Sequence, residues 1–385
     1  MKVLFFANRM PDLCGAFLHD IDLATELQTR GHMVVFLTIK IPKEGFTGGT
    51  YRGFRFLHYT AGLSFLESSA VWICPHSPIL PEVRKINSRG YNRPIIATCH
   101  FDGNYNTIRT NGKNDWAEML LFINSIMEVQ YRKNIVPWPS QIQQTAAIRP
   151  LMHRNNIEIE EPFRGDCITL VNANVNKGVQ QFLEMARKMP ERKFLGVLPY
   201  YGERQVPFAP SNVEWVPFND DIRTILKRTR ILLVPSYYES FGRIAVEAML
   251  NRIPVIYSKP NPNSVYPGGS TEGLDEWIQP VGIGCNRENN DEWITAIRSL
   301  DNETAYSERA EHSRKHIEEM NLFVEAARIS GLVEQFAQRN PVVVRSEPAQ
   351  TSQPARPADP GRLREPPAGR PAGVAFLNGR LRIQR

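Results

Sequence analysis

The chain has 385 residues, enough for two domains that bury most of their apolar surface. With 42% hydrophobic and 22% charged residues it has a globular make-up, and no apolar run reaches the 18 residues a membrane-spanning helix needs. The net charge of +6 lies mostly in residues 341–385, where eight arginines face three acidic residues; the near-neutral body gives no charge-based case for a polyanion surface.

Lys2–Ala7 reads as a buried first strand. The loop after it leads to Gly15, which opens a helix to about Arg30, and Met33–Ile39 is the second strand. Strands follow at 54–58, 70–74 and 94–99, the last ending at His100 beside Asp102. The polar stretch 101–114 reads as a long loop facing a cleft. Residues 116–132 are expected to be helical, and 135–140 to return as a short strand despite Pro137 and Pro139.

Proline and acidic residues near 160 mark a domain boundary. Alternation then resumes: a strand at 167–171, a helix from Gly178 to Lys188, strands at 194–198 and 213–216, and a helix at 222–227. The apolar run Ile231–Val234 is a strand buried on both faces, stopped by Pro235 and Ser236. A turn, a helix from about Phe241 to Leu250 and a strand at 253–257 follow. Helices at 293–300, 303–320 and 323–338 close the ordered part. The expected fold class is α/β, with two doubly wound parallel sheets facing a cleft. The expected domains are 1–160, 161–320, a terminal helix at 321–340 and a disordered tail at 341–385, rich in proline and arginine.

Two carboxylates, Glu239 and Glu247, frame the turn and helix after the Ile231–Val234 strand. Eight residues of helix separate backbones by about 12 Å, whereas an acid/base pair acting across one glycosidic bond needs carboxyl groups about 5–9.5 Å apart. The pair is therefore suited to opposite ends of an elongated ligand whose anionic middle meets the helix N-terminus. Upstream, Asn172 to Gly178 joins a strand to a helix; backbone amides and the Lys177 cation there make a second phosphate-binding element.

The run Glu239-Ser-Phe-Gly-Arg-Ile-Ala-Val-Glu247-Ala-Met, after Val-Pro-Ser and before Pro254-Val-Ile, resembles the E-x7-E segment of retaining GT-B glycosyltransferases, family 4 above all. The resemblance implies that Glu247 holds donor ribose hydroxyls, that Glu239 lies by the transferred sugar, and that the Phe241 and Gly242 amides approach the diphosphate. It extends to Gly15 in the first turn, to His100 at the sugar and to Lys177 at the diphosphate. Where the family places an arginine, this chain has Asn172, and Arg243 is a candidate for supplying the missing charge. Gly268, Gly269 and Glu276 resemble the loop that follows.

No Asp-x-Asp stands at a strand end and Asp220-Asp221 reads as a helix cap, which fits a site that takes no metal. The five cysteines (14, 74, 99, 167, 285) are scattered, without a C-x-x-C pair, and read as reduced thiols of a cytoplasmic protein. Peripheral contact with a membrane stays open, as does contact between the arginine-rich tail and an acidic partner. The expectation is transfer of a sugar from a nucleotide sugar, a UDP-sugar being the commonest donor, to an unidentified acceptor, with no cofactor. An epimerase on the same fold and a non-catalytic sugar-nucleotide-binding protein are the rival readings.

Overall fold

A computed structural model describes residues 1–342 apart from 9, 11–12, 41–49, 76–78, 101–115, 162, 201–207 and 262–269. Asp102 and the expected loop around it, the glycines at 268 and 269, and the tail from 343 onward lie outside the described residues.

The first lobe is built on an eight-stranded sheet: β1 (Lys2–Ala7), β2 (Met33–Thr38), β3 (Thr50–Tyr51), β4 (Phe54–His58), β5 (Val71–Pro75), β6 (Ile95–Cys99), β7 (Met119–Phe122) and β8 (Gln144–Ala147). Its order is β3-β4-β2-β1-β5-β6-β7-β8, parallel throughout except for the β3–β4 hairpin at one edge. Helices α1 (Gly15–Thr29), α2 (Leu63–Ser68), α3 (Leu80–Asn87) and α4 (Ser125–Asn134) connect these strands. The pleat sends Leu4 and Phe6 of β1 into one core, and Val3 and Phe5 into the core on the opposite face. That division is the physical content of a doubly wound sheet: both faces are covered, so the strand is apolar from Val3 to Ala7.

A linker containing α5 (Arg154–Ile157) leads to the second lobe. Its six-stranded sheet uses β9 (Cys167–Val171), β10 (Lys193–Val197), β11 (Val213–Val216), β12 (Thr229–Val234), β13 (Val255–Ser258) and β14 (Ile283–Cys285), in the all-parallel order β11-β10-β9-β12-β13-β14. Helices α6 (Val179–Lys188), α7 (Arg223–Leu226), α8 (Arg243–Leu250), α9 (Glu272–Ile278), α10 (Asn290–Ser299) and α11 (Glu303–Glu319) belong to it. Alternate residues of β12 again go to different cores, Ile231 and Leu233 to one, Leu232 and Val234 to the other. The last described helix, α12 (Glu325–Arg339), returns to the first lobe. Its Ile329, Val333 and Phe336 share a core with Val3, Phe5 and Leu27, and Glu334 takes hydrogen bonds from Arg30 (2.8 and 2.9 Å).

One stretch departs from the expectation. Residues 116–132 are not a single helix: Met119–Phe122 is β7, wholly buried between β6 and β8, and α4 begins only at Ser125. Asn124 makes the break, its side-chain oxygen accepting the Met127 amide at 2.7 Å as a helix cap. The expected strand at 135–140 is likewise absent; the chain rejoins the sheet later, at Gln144–Ala147. Two prolines remove amide donors from 135–140, so it cannot form a regular ladder.

Among the described residues no helix is long and apolar enough to cross a membrane.

Candidate functional site

Strand order reverses direction between β9 and β12, so the loops leaving their carboxyl ends diverge around a crevice, where open α/β sheets take ligands. Lys177 leaves one loop and Glu239 the other. The Lys177 Nζ lies 2.5 Å from Glu239 Oε1, which also accepts the Ser236 hydroxyl at 2.8 Å. Glu239 is nearly buried (8% of its side chain exposed), whereas Lys177 keeps 29% exposed, leaving its ammonium open to a further anion.

The two loops are held together by their backbones. The Tyr237 amide donates to Asn176 O (3.0 Å), and Asn174 Oδ1 accepts the Lys177 amide (3.1 Å). Asn172 stands at φ 64°, a left-handed conformation asparagine tolerates. Gly178 enters α6 at φ 81°, and a Cβ there would meet Pro235 O at 2.1 Å. Only glycine permits that approach, and the approach sets Lys177 beside Glu239.

Downstream, Gly242 caps α8 at φ 78°. Phe241 stacks on Trp277 (centroids 5.5 Å apart), whose indole N–H donates to the Phe241 carbonyl at 2.8 Å. In the first turn of α8 the Ala245 amide donates to Gly242 O (2.9 Å); a helix amino end leaves its other first amides without an intrahelical acceptor and, with the helix dipole, favours an anion. Glu247, one turn further on, is buried, and burial pushes its carboxyl above the usual range against the opposing pull of Arg243. Asn251 anchors that end of the helix by donating to Glu247 O (2.7 Å) and Ile157 O (2.8 Å).

The first lobe meets this face directly. Asn124 donates to Ser240 O (2.5 Å), and Tyr238 donates to the carbonyl of His100 (3.3 Å). His100 is buried and its imidazole is pushed down to about 3, by desolvation first and by Arg243 second, so the ring is neutral at physiological pH. Gly15 opens α1, and a Cβ there would lie 3.7 Å from Arg243 Cδ. Glu276 is set apart from Lys177 and Glu239, taking the Ser125 hydroxyl beside a cavity of about 560 Å³ that Phe241 and Trp277 also line.

The structure thus brings Lys177 to Glu239, and Gly15, His100 and Glu247 to the surroundings of Arg243. It directs the Arg243 guanidinium to the first lobe, where Nη2 is 3.0 Å from Asp22 Oδ2, and to the linker, where Nη1 donates to Leu151 O. Sequence reading passed over Asp22 and His19, which look like polar interruptions of an amphipathic helix yet are fully buried toward the second lobe. The signal was present: a helix with His19, Asp20 and Asp22 among its apolar positions cannot bury them without a partner. Arg287 was also missed. It is buried, donates to Pro235 O (3.0 Å) and lies 3.2 Å from the Tyr237 ring centroid, bracing the turn that carries Glu239.

Comparison with known proteins agrees with this fold. Residues 208–309 match the family model for glycosyl transferases group 1, a stretch that includes the whole β12–α8–β13 unit. The sucrose-phosphate synthase from Thermosynechococcus elongatus superposes with a TM-score of 0.67 at 15% identity, over 88% of this chain and 100% of that one. The chain has the GT-B fold, and its residues 208–309 are of the glycosyl transferases group 1 type. A second GT-B structure, the UDP-forming α,α-trehalose-phosphate synthase from Burkholderia xenovorans, matches with a TM-score of 0.60 at 10% identity, covering 88% of this chain and 100% of that one. In sequence, the D-inositol 3-phosphate glycosyltransferase of Corynebacterium kroppenstedtii is 26% identical over 125 residues. That match takes in 32% of this chain and about a quarter (26%) of the relative's length.

Proposed function

We propose that this GT-B protein is a retaining glycosyltransferase that moves a sugar from a nucleotide-sugar donor, a UDP-sugar, to an acceptor. The observation that carries the reading is the Lys177–Glu239 pair at the β9/β12 switch point, next to the amino end of α8. A diphosphate placed there meets one cation and the first-turn amides of a helix, so the charge that grows on the leaving group is stabilised as its bond to the sugar breaks. Asn172 and the Phe241–Gly242 backbone complete the lining, and Gly15 leaves room on the opposite lobe.

Glu239 accepts hydroxyl hydrogens of the sugar, and neutral His100 offers a ring nitrogen on the facing lobe. Glu247 takes the ribose hydroxyls. The bond between the anomeric carbon and the phosphate oxygen breaks, the acceptor oxygen bonds to that carbon from the same face, and the acceptor proton passes to the departing phosphate. Lys177 supplies the positive charge such a site needs, so the reaction is expected to run without a metal. The names of two relatives, one UDP-forming and one a glycosyltransferase, support the donor class.

The test is a panel of UDP-, ADP- and GDP-sugars incubated with sugar, polyol and lipid acceptors, with products read by mass spectrometry and their anomeric configuration by NMR. Nucleoside diphosphate released in step with a glycosylated product, in chelator, is the expected outcome. An inverted anomer rules out retention, and release of no nucleotide from any donor rules out the transferase reading.

A further inference from the structure

The buried polar cluster between α1 and α8 is larger than a donor site alone requires. Arg243, only 13% exposed, is held by Asp22 Oδ2 at 3.0 Å, by the Leu151 carbonyl, and at 3.8 Å by Glu247 Oε1. Asp22 is 2% exposed and belongs to the other lobe. Leu151, in the linker, is gripped from both sides, since its amide donates to His19 Nδ1 at 2.9 Å. The guanidinium therefore joins the first lobe, the linker and the carboxylate proposed to hold the ribose.

Buried ion pairs are weak stabilisers, because desolvation cancels most of their attraction, and their best-attested use is to fix one arrangement. This one is also incomplete: among the described residues, Asp22 Oδ1 and Arg243 Nε are buried without hydrogen-bond partners, as are the Nε2 atoms of His19 and His100. Gly15 borders the cluster: a Cβ there would lie 3.7 Å from Arg243 Cδ, an ordinary van der Waals contact.

We propose that Asp22 and Arg243 are a positioning pair that fixes Glu247 against the donor ribose and couples that fixation to the closed arrangement of the lobes. The inference rests on the donor reading above. It gives Arg243 a task other than neutralising the diphosphate, since its charge is already shared between two carboxylates. The charged groups facing Glu247 are Arg243 on its own helix, Asp22 on α1 and Arg52 at the β3–β4 turn. Of these Arg243 is nearest, and it opposes the upward push of burial on the Glu247 carboxyl.

The experiment is calorimetric titration of the full chain with UDP, ADP and GDP, comparing Asp22→Asn, Arg243→Met, Arg243→Lys and the double variant Asp22→Asn/Arg243→Met. Thermal melts confirm folding, and the near-isosteric Asp22→Asn carries the test should Arg243→Met not fold. Each disruptive single variant is expected to weaken binding of the preferred nucleotide about ten-fold, and the double variant no more than the weaker single, as for two halves of one interaction. Arg243→Lys restores part of the loss. Arg243→Met should also lose more affinity than the unmodified chain between pH 8 and pH 6, because Glu247 without its cation protonates more readily; the unmodified chain corrects for protonation of the nucleotide's own terminal phosphate near pH 6. Folded Asp22→Asn and Arg243→Met proteins that bind within about two-fold of the unmodified chain overturn the proposal, as does strict additivity. If the unmodified chain binds none of the three nucleotides, the donor reading fails and this inference falls with it.

Discussion

On the second lobe the polar groups around Lys177 sit in loops at strand ends, and each has a partner: Lys177 meets Glu239, Ser236 meets Glu239, and Asn174 holds the Lys177 amide. On the first lobe they sit inside regular elements, His19, Asp20 and Asp22 on α1 and Thr98 on β6, all buried and two of them, His19 and Asp22, with atoms unpartnered among the described residues. The difference teaches where each set gets its geometry. Loop residues at a switch point are arranged by their own lobe. The α1 residues are arranged by what the second lobe presses against them, Arg243 above all.

The sharpest way to break this comparison is to remove the paired groups of the second lobe. Lys177→Ala and Glu239→Gln should each lower kcat by about 100- to 1000-fold, the usual loss when one charge-stabilising group leaves an active site. Their melting temperatures should stay close to the parent's, because both side chains belong to loops. A steady-state assay on the donor identified by the panel, run beside thermal melts, measures both; undiminished turnover in either variant would remove the second lobe's claim to the chemistry.

Next in size is the backbone approach that sets those loops. Gly178→Ala places a methyl group against Pro235 O, 2.1 Å from the ideal Cβ position, at φ 81°. Strain and overpacking together should cost about 3 kcal/mol in urea unfolding. A loss under about 1 kcal/mol would show that the loop moves aside cheaply, and that Lys177 does not depend on this contact for its place.

The same contrast explains what was legible in the sequence. Strand runs such as Val3–Ala7 and Ile231–Val234 are apolar at every position because both faces are buried, so the α/β class and both sheets were readable. The E-x7-E segment was readable because a strand, a turn and a helix start within twelve residues leave few alternatives for its loop. Residues 116–132 misled for a physical reason: a four-residue buried strand followed closely by a capped helix has the same apolar content as one longer helix. Only Asn124 distinguishes them, and a lone asparagine is a weak signal. Asp22 was illegible for another reason. Its partner is 221 residues away on a different lobe, and local pattern carries no information about that pairing.

The smallest predicted effect concerns the first lobe's buried titrating groups, and its sign depends on pH. Burial pushes the Asp20 carboxyl up to about 8, against only a long contact with Thr98, so the folded chain keeps a proton that the unfolded chain loses near pH 4. Its contribution to stability is full below about pH 4 and is lost as pH rises toward about 8. His100 works in the opposite sense: with its imidazole pushed down to about 3, its contribution is present above about pH 6.5 and is lost as pH falls. His19, pushed down by burial and by His100, adds to that acid-side loss. Asp20 and His100 each change stability by about 1.4 kcal/mol per pH unit within their windows. Between pH 4 and 6.5 these two changes oppose one another and His19 tilts the balance toward acid-side loss, and above 6.5 the carboxyl acts alone. Among these three groups the balance is therefore most favourable near pH 6.5, and stability declines on both sides. Urea midpoints at pH 5, 6.5 and 8 should trace that peak. Asp20→Asn should flatten the alkaline side alone, and His100→Gln should make the acid side shallower. An alkaline decline that survives Asp20→Asn would mean that α1 is solvated at Asp20, and that the first lobe is no more sequestered than the second.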